Sequence, residues 1–496
     1  MTTPVAENQT VTGAVRPEPP GSAASGRSLI PLVWLGTVAC LLVFQFRRGF
    51  GWDGDSFVSA AQLVKLLNPS LYGTVDAGTH PKFLSILFFG LVYLGTGSFY
   101  LLSLAAITLH AGAVALVCHW IRAEGGAWFP AWLLLVANIE WNAIVINADN
   151  PGFSVPFLLM GLYFFVHRSR QNLGALLLLG SSLFRPGADL VLGVLLLREF
   201  LRGNRRLAPA GVCLALGLLH TWFGLYLAYP AREQFLQLCL YFIPGSQALV
   251  PYYKGSWHVL PPYFEAVRDG VSPLTAALLI LPALLGLTEI IRRRSSVWCL
   301  ALLPLVTLLY PLGSFMYGVI TVHVDKVRET ALLLPVFAAF CDFRAGAELL
   351  GRWGRAAGAA AGLALMAWLW VEGTKMNGQY QSNPDGSGLT HWRNLRGLAA
   401  AVHHAGIEGK FSVLTGQSDL TFLVLDNGFH LKDVSLLPAG PAGGYEGWDV
   451  VLLRREKAEP DPAILTRAGL MKVDFRPDYL LYVRRRPVIA PPGSSS

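Results

Sequence analysis

Apolar residues fall along this chain in long blocks, without the two-residue alternation of a half-buried strand. Between residues 29 and 371, runs rich in Leu, Ala, Val and Phe recur, parted by short polar or basic stretches. Each run approaches the roughly 17–25 residues that a helix needs to cross a bilayer. They lie near 29–46, up to Arg122, then 128–146, 152–167, 172–184, 187–200, 208–228, 274–291, 297–314, 329–343 and 356–371. The pattern breaks at both ends. Residues 1–28 are rich in Pro, Gly, Ala, Ser and Thr and are expected to be disordered. Residues 372–388 read as a polar linker. A helix-like stretch at 392–404 and strand-like stretches at 411–415, 449–454 and 479–484 then predict a small α/β domain over 389–486, with a Pro- and Ser-rich tail at 487–496. The expected fold is an α-helical polytopic membrane protein of about eleven spans carrying a small C-terminal α/β domain.

Basic residues orient the spans. Arg122, then Arg168 and Arg170, then Arg198, Arg202, Arg205 and Arg206, then Arg292 to Arg294, then Arg344, Arg352 and Arg355 all follow or precede apolar runs. Positive residues favour the cytoplasmic side, so an even number of spans must separate neighbouring clusters. The runs above satisfy this parity if the apolar stretch 82–97 is a juxtamembrane or re-entrant helix. It places the N-terminus in the cytoplasm, loops 47–98 and 229–273 outside, and the C-terminal domain extracytoplasmic, in an inner or plasma membrane. Arg47 and Arg48 then lie outside, against the trend.

Composition sharpens the class. Of 496 residues, 53% are hydrophobic and 14% charged, with a mean hydropathy of +0.47. Soluble domains carry about 25% charged residues. The net charge of +8 is explained by topology, so no nucleic-acid partner is expected. The six cysteines sit in apolar runs without metal-ligand spacing, which argues against a disulfide framework or a zinc site.

Against this background, outer-face charges stand out. Asp53 and Asp55 open the first outer loop. Ionisable groups at a membrane face belong to water or to a functional cavity, and a D-x-D pair suits a divalent cation or a general base. No cofactor is fixed by the sequence, and a cation is left open. An amphipathic stretch at 57–67 and the step Thr79, His80, Pro81, Lys82 follow; His80 and Lys82 suit a phosphate or an interfacial anchor. Asp149 sits in a very short loop on the same face, with Glu140, Trp141 and Asn142 deeper in the preceding run. Arg185, before Pro186, is an outward arginine suited to bidentate phosphate binding, or a partner of Asp189. Tyr252, Tyr253 and Lys254, near Trp257 and His258, suit a sugar or a headgroup, and also an interfacial belt. His323 and Arg328 precede the tenth run on the same face.

On these residues the chain resembles the GT-C membrane glycosyltransferases of the protein O-mannosyltransferase and lipid A aminoarabinose transferase type, over about residues 29–371. The first-loop acid and amphipathic helix match at Asp55, Ser56 and Phe57. The proline step before a juxtamembrane helix matches at His80, Pro81 and Lys82. The acid-then-proline start of the fourth span matches at Asp149, Asn150 and Pro151, and the arginine–proline segment at Arg185, Pro186 and Gly187. The late His-to-Arg segment runs from His323 through Arg328 to Pro335. Two positions depart: Ser56 stands where the family has a second acid, and Lys82 where it has a second proline.

The resemblance implies transfer of a sugar from a polyprenyl-phosphate donor to an envelope glycan, lipid or protein. It implies Asp55 as general base, with Asp53 as the alternative, and His80, Arg185 and Arg328 on the donor phosphate. Two other classes fit the pattern less well. A transporter or flippase of lipid-linked saccharides would place its ionisable residues near the midplane. A non-catalytic scaffold would act through the C-terminal domain.

Overall fold

The structure is a computed structural model. It describes residues 29–49, 54–67, 83–96, 100–148, 150–167, 170–185, 187–204, 207–228, 273–303, 328–329, 331–341, 354–382, 395, 397–408, 411–415, 434–435, 445–454, 461–476 and 479–484.

Most of these residues form one helical assembly. It begins with α1 (Leu29–Arg48), α2 (Gly54–Leu67), α3 (Phe83–Thr96) and α4 (Tyr100–Ala123). It continues with α5 (Trp128–Val136), α6 (Ile139–Ile146), α7 (Asn150–Val166), α8 (Gln171–Phe184) and α9 (Ala188–Leu201). Then come α10 (Ala208–Ala228), α11 (Pro273–Arg292), a 3-10 turn at Ser296–Ala301, the short α12 (Leu334–Ala338) and the long α13 (Gly354–Ser382). Helix α1 packs between α4 and α13, α4 leans on α7, and α7 on α8. The last also receives α3, α9 and α10, while α11 lies against α12.

This is a membrane protein by the character of its helices. Among the described residues, α1, α4 and the stretch Ala356–Met376 of α13 are long and apolar enough to cross a membrane. Many helices also present large apolar side chains outward, such as Leu32, Leu35, Phe46, Leu197, Phe200, Leu281 and Leu285. A helix that is apolar all round must be surrounded by protein or by lipid.

Two helix pairs come together through glycine. A Cβ at Gly174 of α8 would stand 2.3 Å from the Phe165 nitrogen of α7, and one at Gly286 of α11 would stand 1.8 Å from the Phe337 carbonyl oxygen in α12. Small residues allow such backbone contact between helices in lipid, where water no longer drives association.

The structure departs from the expected elements in four places. The run 128–146 is broken: α5 and α6 meet at a 64° bend. Asn138 caps α6 by accepting from the Trp141 amide at 3.1 Å, and the Asn142 side-chain amide donates to the Val136 carbonyl at 2.7 Å. These bonds replace part of the helical ladder that the bend removes, a necessity in an apolar surround. The start of the run 297–314 is a 3-10 turn, and residues 304–327 lie outside the described residues. The run 329–343 is no single helix, because Pro335 lacks the amide that would continue a ladder and instead opens the five-residue α12. The linker expected at 372–388 is helical as far as Ser382, so α13 carries 29 residues.

The C-terminal region forms a five-stranded sheet in the order β2–β1–β3–β5–β4, built from β1 (Phe411–Leu414), β2 (Val434–Ser435), β3 (Val450–Arg454), β4 (Leu470–Val473) and β5 (Tyr479–Arg484). Strands β1, β2 and β3 pair in parallel, and β5 runs antiparallel to β3 and β4. Helices α14 (Leu398–His404) and α15 (Pro462–Arg467) accompany it. The expected strands at 411–415, 449–454 and 479–484 are present. Strand β5 is buried along its length, the burial of a central strand covered on both faces.

Candidate functional site

Contacts separate the helical assembly into two ends. At one end, Glu124 accepts from the Ser296 hydroxyl, Trp120 donates to the same hydroxyl at 2.8 Å, and Arg198 lies 4.8 Å over the Trp298 ring. The basic clusters at Arg122, Arg198 and Arg292–Arg294 therefore share this end.

The opposite end gathers the candidate residues. Helix α1 finishes there with Arg48, which is buried and donates to the Asn147 side-chain oxygen at 2.8 Å, just past α6. Its neighbour Arg47 reaches Thr374 of α13 and covers the Trp370 ring at 3.9 Å. Ala148, next in the short loop, has a φ of +55°. Asn150, where α7 begins, is fully buried.

Arg185 is fixed by its surroundings. It ends α8 in extended conformation, directly after Phe184. Phe184 stacks on Phe153 of α7 at 5.2 Å and on Phe157 at 5.7 Å, and packs on Phe88 of α3 at 6.0 Å. The Ser85 hydroxyl, at the start of α3, donates to the Phe184 carbonyl at 3.2 Å. So fixed, the Arg185 guanidinium forms an ion pair with Glu329, their side chains only 9% and 2% exposed. Asp189 accepts from the Gly187 amide at 2.9 Å, while its own amide donates to the Ser182 hydroxyl at 2.8 Å. It thereby anchors the start of α9.

Arg328 precedes Glu329 and pairs differently. Its guanidinium stands 3.3 Å from Glu140 of α6, with the two side chains 30% and 45% exposed. Two adjacent residues of opposite charge thus clasp two helices: Glu329 holds the end of α8, and Arg328 holds α6 beside its break. The two pairs differ in kind. A buried pair is costly to assemble and destabilising to disrupt. A part-exposed pair contributes only about 0–1 kcal/mol.

Of the residues singled out in the sequence, Arg185 and Arg328 are thus brought to one place through the adjacent Glu329. Asp55 is the second residue of α2, whose Ala60, Ala61, Leu63 and Val64 are buried, and α2 packs along α3. Asp53, His80, Lys82, Asp149, Tyr252, Tyr253, Lys254 and His323 lie outside the described residues. Glu329 was not marked by the sequence pattern. An acid directly after Arg328, at the mouth of an apolar run, was the available signal. Among the described residues, no three His, Cys, Asp or Glu side chains gather as a metal site, and Cys40, Cys118, Cys213, Cys299 and Cys341 are free.

The chain matches no protein-family model and no curated protein.

Proposed function

We propose that this chain is a polytopic membrane glycosyltransferase of about eleven spans. It transfers a sugar from a polyprenyl-phosphate donor to an envelope glycan, lipid or protein at the extracytoplasmic face. The observation that supports this most is the part-exposed Arg328, paired with Glu140 while its neighbour Glu329 pairs with Arg185, at the end where Arg48 also reaches the short loop after α6. Ionisable groups in or near lipid are costly and are usually kept for a function, and this end gathers three arginines, each with a partner.

In the proposed reaction the acceptor oxygen attacks the anomeric carbon. The bond from that carbon to the phosphate oxygen breaks, and the phosphate leaves with the electron pair. Asp55, or Asp53, takes the acceptor proton. Arg328 exchanges Glu140 for the donor phosphate and stabilises the charge as it develops. Arg185 is a positioning residue: it holds Glu329, and through it the neighbouring Arg328. His80 is assigned to the same phosphate by resemblance; Lys82 and His323 join it, Asp149 joins the catalytic carboxylates, and Tyr252, Tyr253 and Lys254 are assigned to the sugar, all by their places in the outer-face pattern of the sequence.

The test is transfer from radiolabelled polyprenyl-phosphate sugars by the purified chain in nanodiscs. Asp55→Asn and Arg328→Ala are each expected to lower kcat by about 100-fold or more. Full turnover in both variants would overturn the assignment. A second reading, transport of a lipid-linked saccharide, draws on the 64° break between α5 and α6, since discontinuous helices line transport sites. Donor that crosses the bilayer without being cleaved would favour it.

A further inference from the structure

The C-terminal domain carries a groove of about 540 Å³. Its volume falls within the roughly 300–1,000 Å³ of small-molecule sites, but it is open along its length. One wall is α14, which offers only the small residues Gly397, Ala401 and Ala405 and, at its end, His404. Gly397, Ala401 and Ala405 recur every four residues, so they share one helix face and leave a smooth floor. The other wall is β4 and the chain after it: Met471, Lys472, Val473, Asp474, Phe475 and Arg476.

This lining has a chemical bias. Lys472 and Arg476 are exposed cations, and Asp474 is the single acid. Phe475 and Met471 supply flat apolar surface between them, with the Arg476 guanidinium 5.9 Å from the Phe475 ring. Charge-assisted donors beside an aromatic face suit a ring that is polar at its rim and carries an anionic substituent. The open shape suits an extended chain of such rings.

An added peptide strand is the other natural occupant, because β4 closes the described sheet order at one edge. Lys472 lies in the middle of that edge strand, where an exposed lysine discourages backbone pairing. We infer that this groove binds an anionic saccharide, one bearing uronate carboxylates or phosphodiesters, as a site separate from the one proposed for sugar transfer. The inference does not depend on the transferase reading, because binding is measured without turnover.

The full chain in nanodiscs would be titrated with three oligosaccharide probes of equal length: an oligogalacturonate, a glycerol-phosphate-substituted glycan and a neutral dextran. At least one acidic probe is expected to bind roughly tenfold or more tightly than the dextran, with affinity falling as salt rises. The preferred acidic probe tells carboxylate from phosphate. Lys472→Gln and Arg476→Gln, both at exposed positions, are expected to remove that preference without lowering Tm. Phe475→Ala is expected to weaken the saccharides while sparing inorganic phosphate. Equal affinity for acidic and neutral probes, affinity insensitive to salt, or tighter binding of an acidic peptide would each overturn the inference. The salt series uses the unaltered chain, so the test stands even if a variant misfolds.

Discussion

Arg185 and Arg328 look alike in the sequence, and the structure gives them opposite circumstances. Arg185 is buried against Glu329, whereas Arg328 meets Glu140 at a half-exposed surface. Substitution should separate them. Glu329→Gln takes the carboxylate from a buried guanidinium and should cost about 3–5 kcal/mol, read by unfolding in detergent. Arg328→Ala should cost no more than about 1 kcal/mol while abolishing transfer. Glu140→Gln should have the opposite sign in binding. Relieved of its competitor, Arg328 should hold the donor phosphate more tightly, seen as a lower KM for donor, with folding unchanged. An unchanged or raised KM in Glu140→Gln would remove the exchange role. The sequence marked both arginines because outward basic residues oppose the topological trend. It could not reveal which would be neutralised, since Arg185 finds its partner 144 positions away.

At the scale of elements, hydrophobic blocks located most helices, and interruptions within blocks were harder to read. The bend between α5 and α6 is marked in the sequence only by the polar set Asn138, Glu140 and Asn142, of which the two asparagines serve the freed backbone. Pro335 was a visible breaker inside the run 329–343. In the C-terminal domain, β1, β3 and β5 were legible as apolar strands. The two-residue β2 and the four-residue β4 were not, because each is too short a run to stand out. Glycine contacts give a sharp test of the helix pairs. Gly286→Val drives its side chain into the Phe337 backbone and should destabilise the fold by about 3 kcal/mol. Gly211→Ala, with nothing within 4 Å of the added carbon, should leave the thermal midpoint in place.

For the molecule as a whole, the contacts sort the charges by end. Arg122, Arg198 and Arg292–Arg294 meet at one end through Glu124, Ser296 and Trp298, while Arg48, Arg185 and Arg328 belong to the other. The first set is what the positive-inside trend describes. The second opposes it under the topology expected from the sequence, which is why the candidate site stood out there as an anomaly. The proposed eleven spans would place the two termini in opposite compartments. Fusions at the N-terminus and after residue 484 check this. Alkaline phosphatase should be active on the C-terminal fusion only, and phosphatase activity at both ends would require an even number of spans.

The clasp formed by Arg328 and Glu329 also sets an order of events during synthesis. Glu140 and Arg185 leave the ribosome long before the residues that neutralise them. The helices up to α9 are therefore made while Arg185 still lacks the Glu329 carboxylate, which comes 144 positions later. A chain stalled before residue 328 should be held by the insertion machinery or destroyed, whereas one released just beyond it should pass quality control. On this account the two residues that join α6 and α8 would also act as a completion check on the nascent protein.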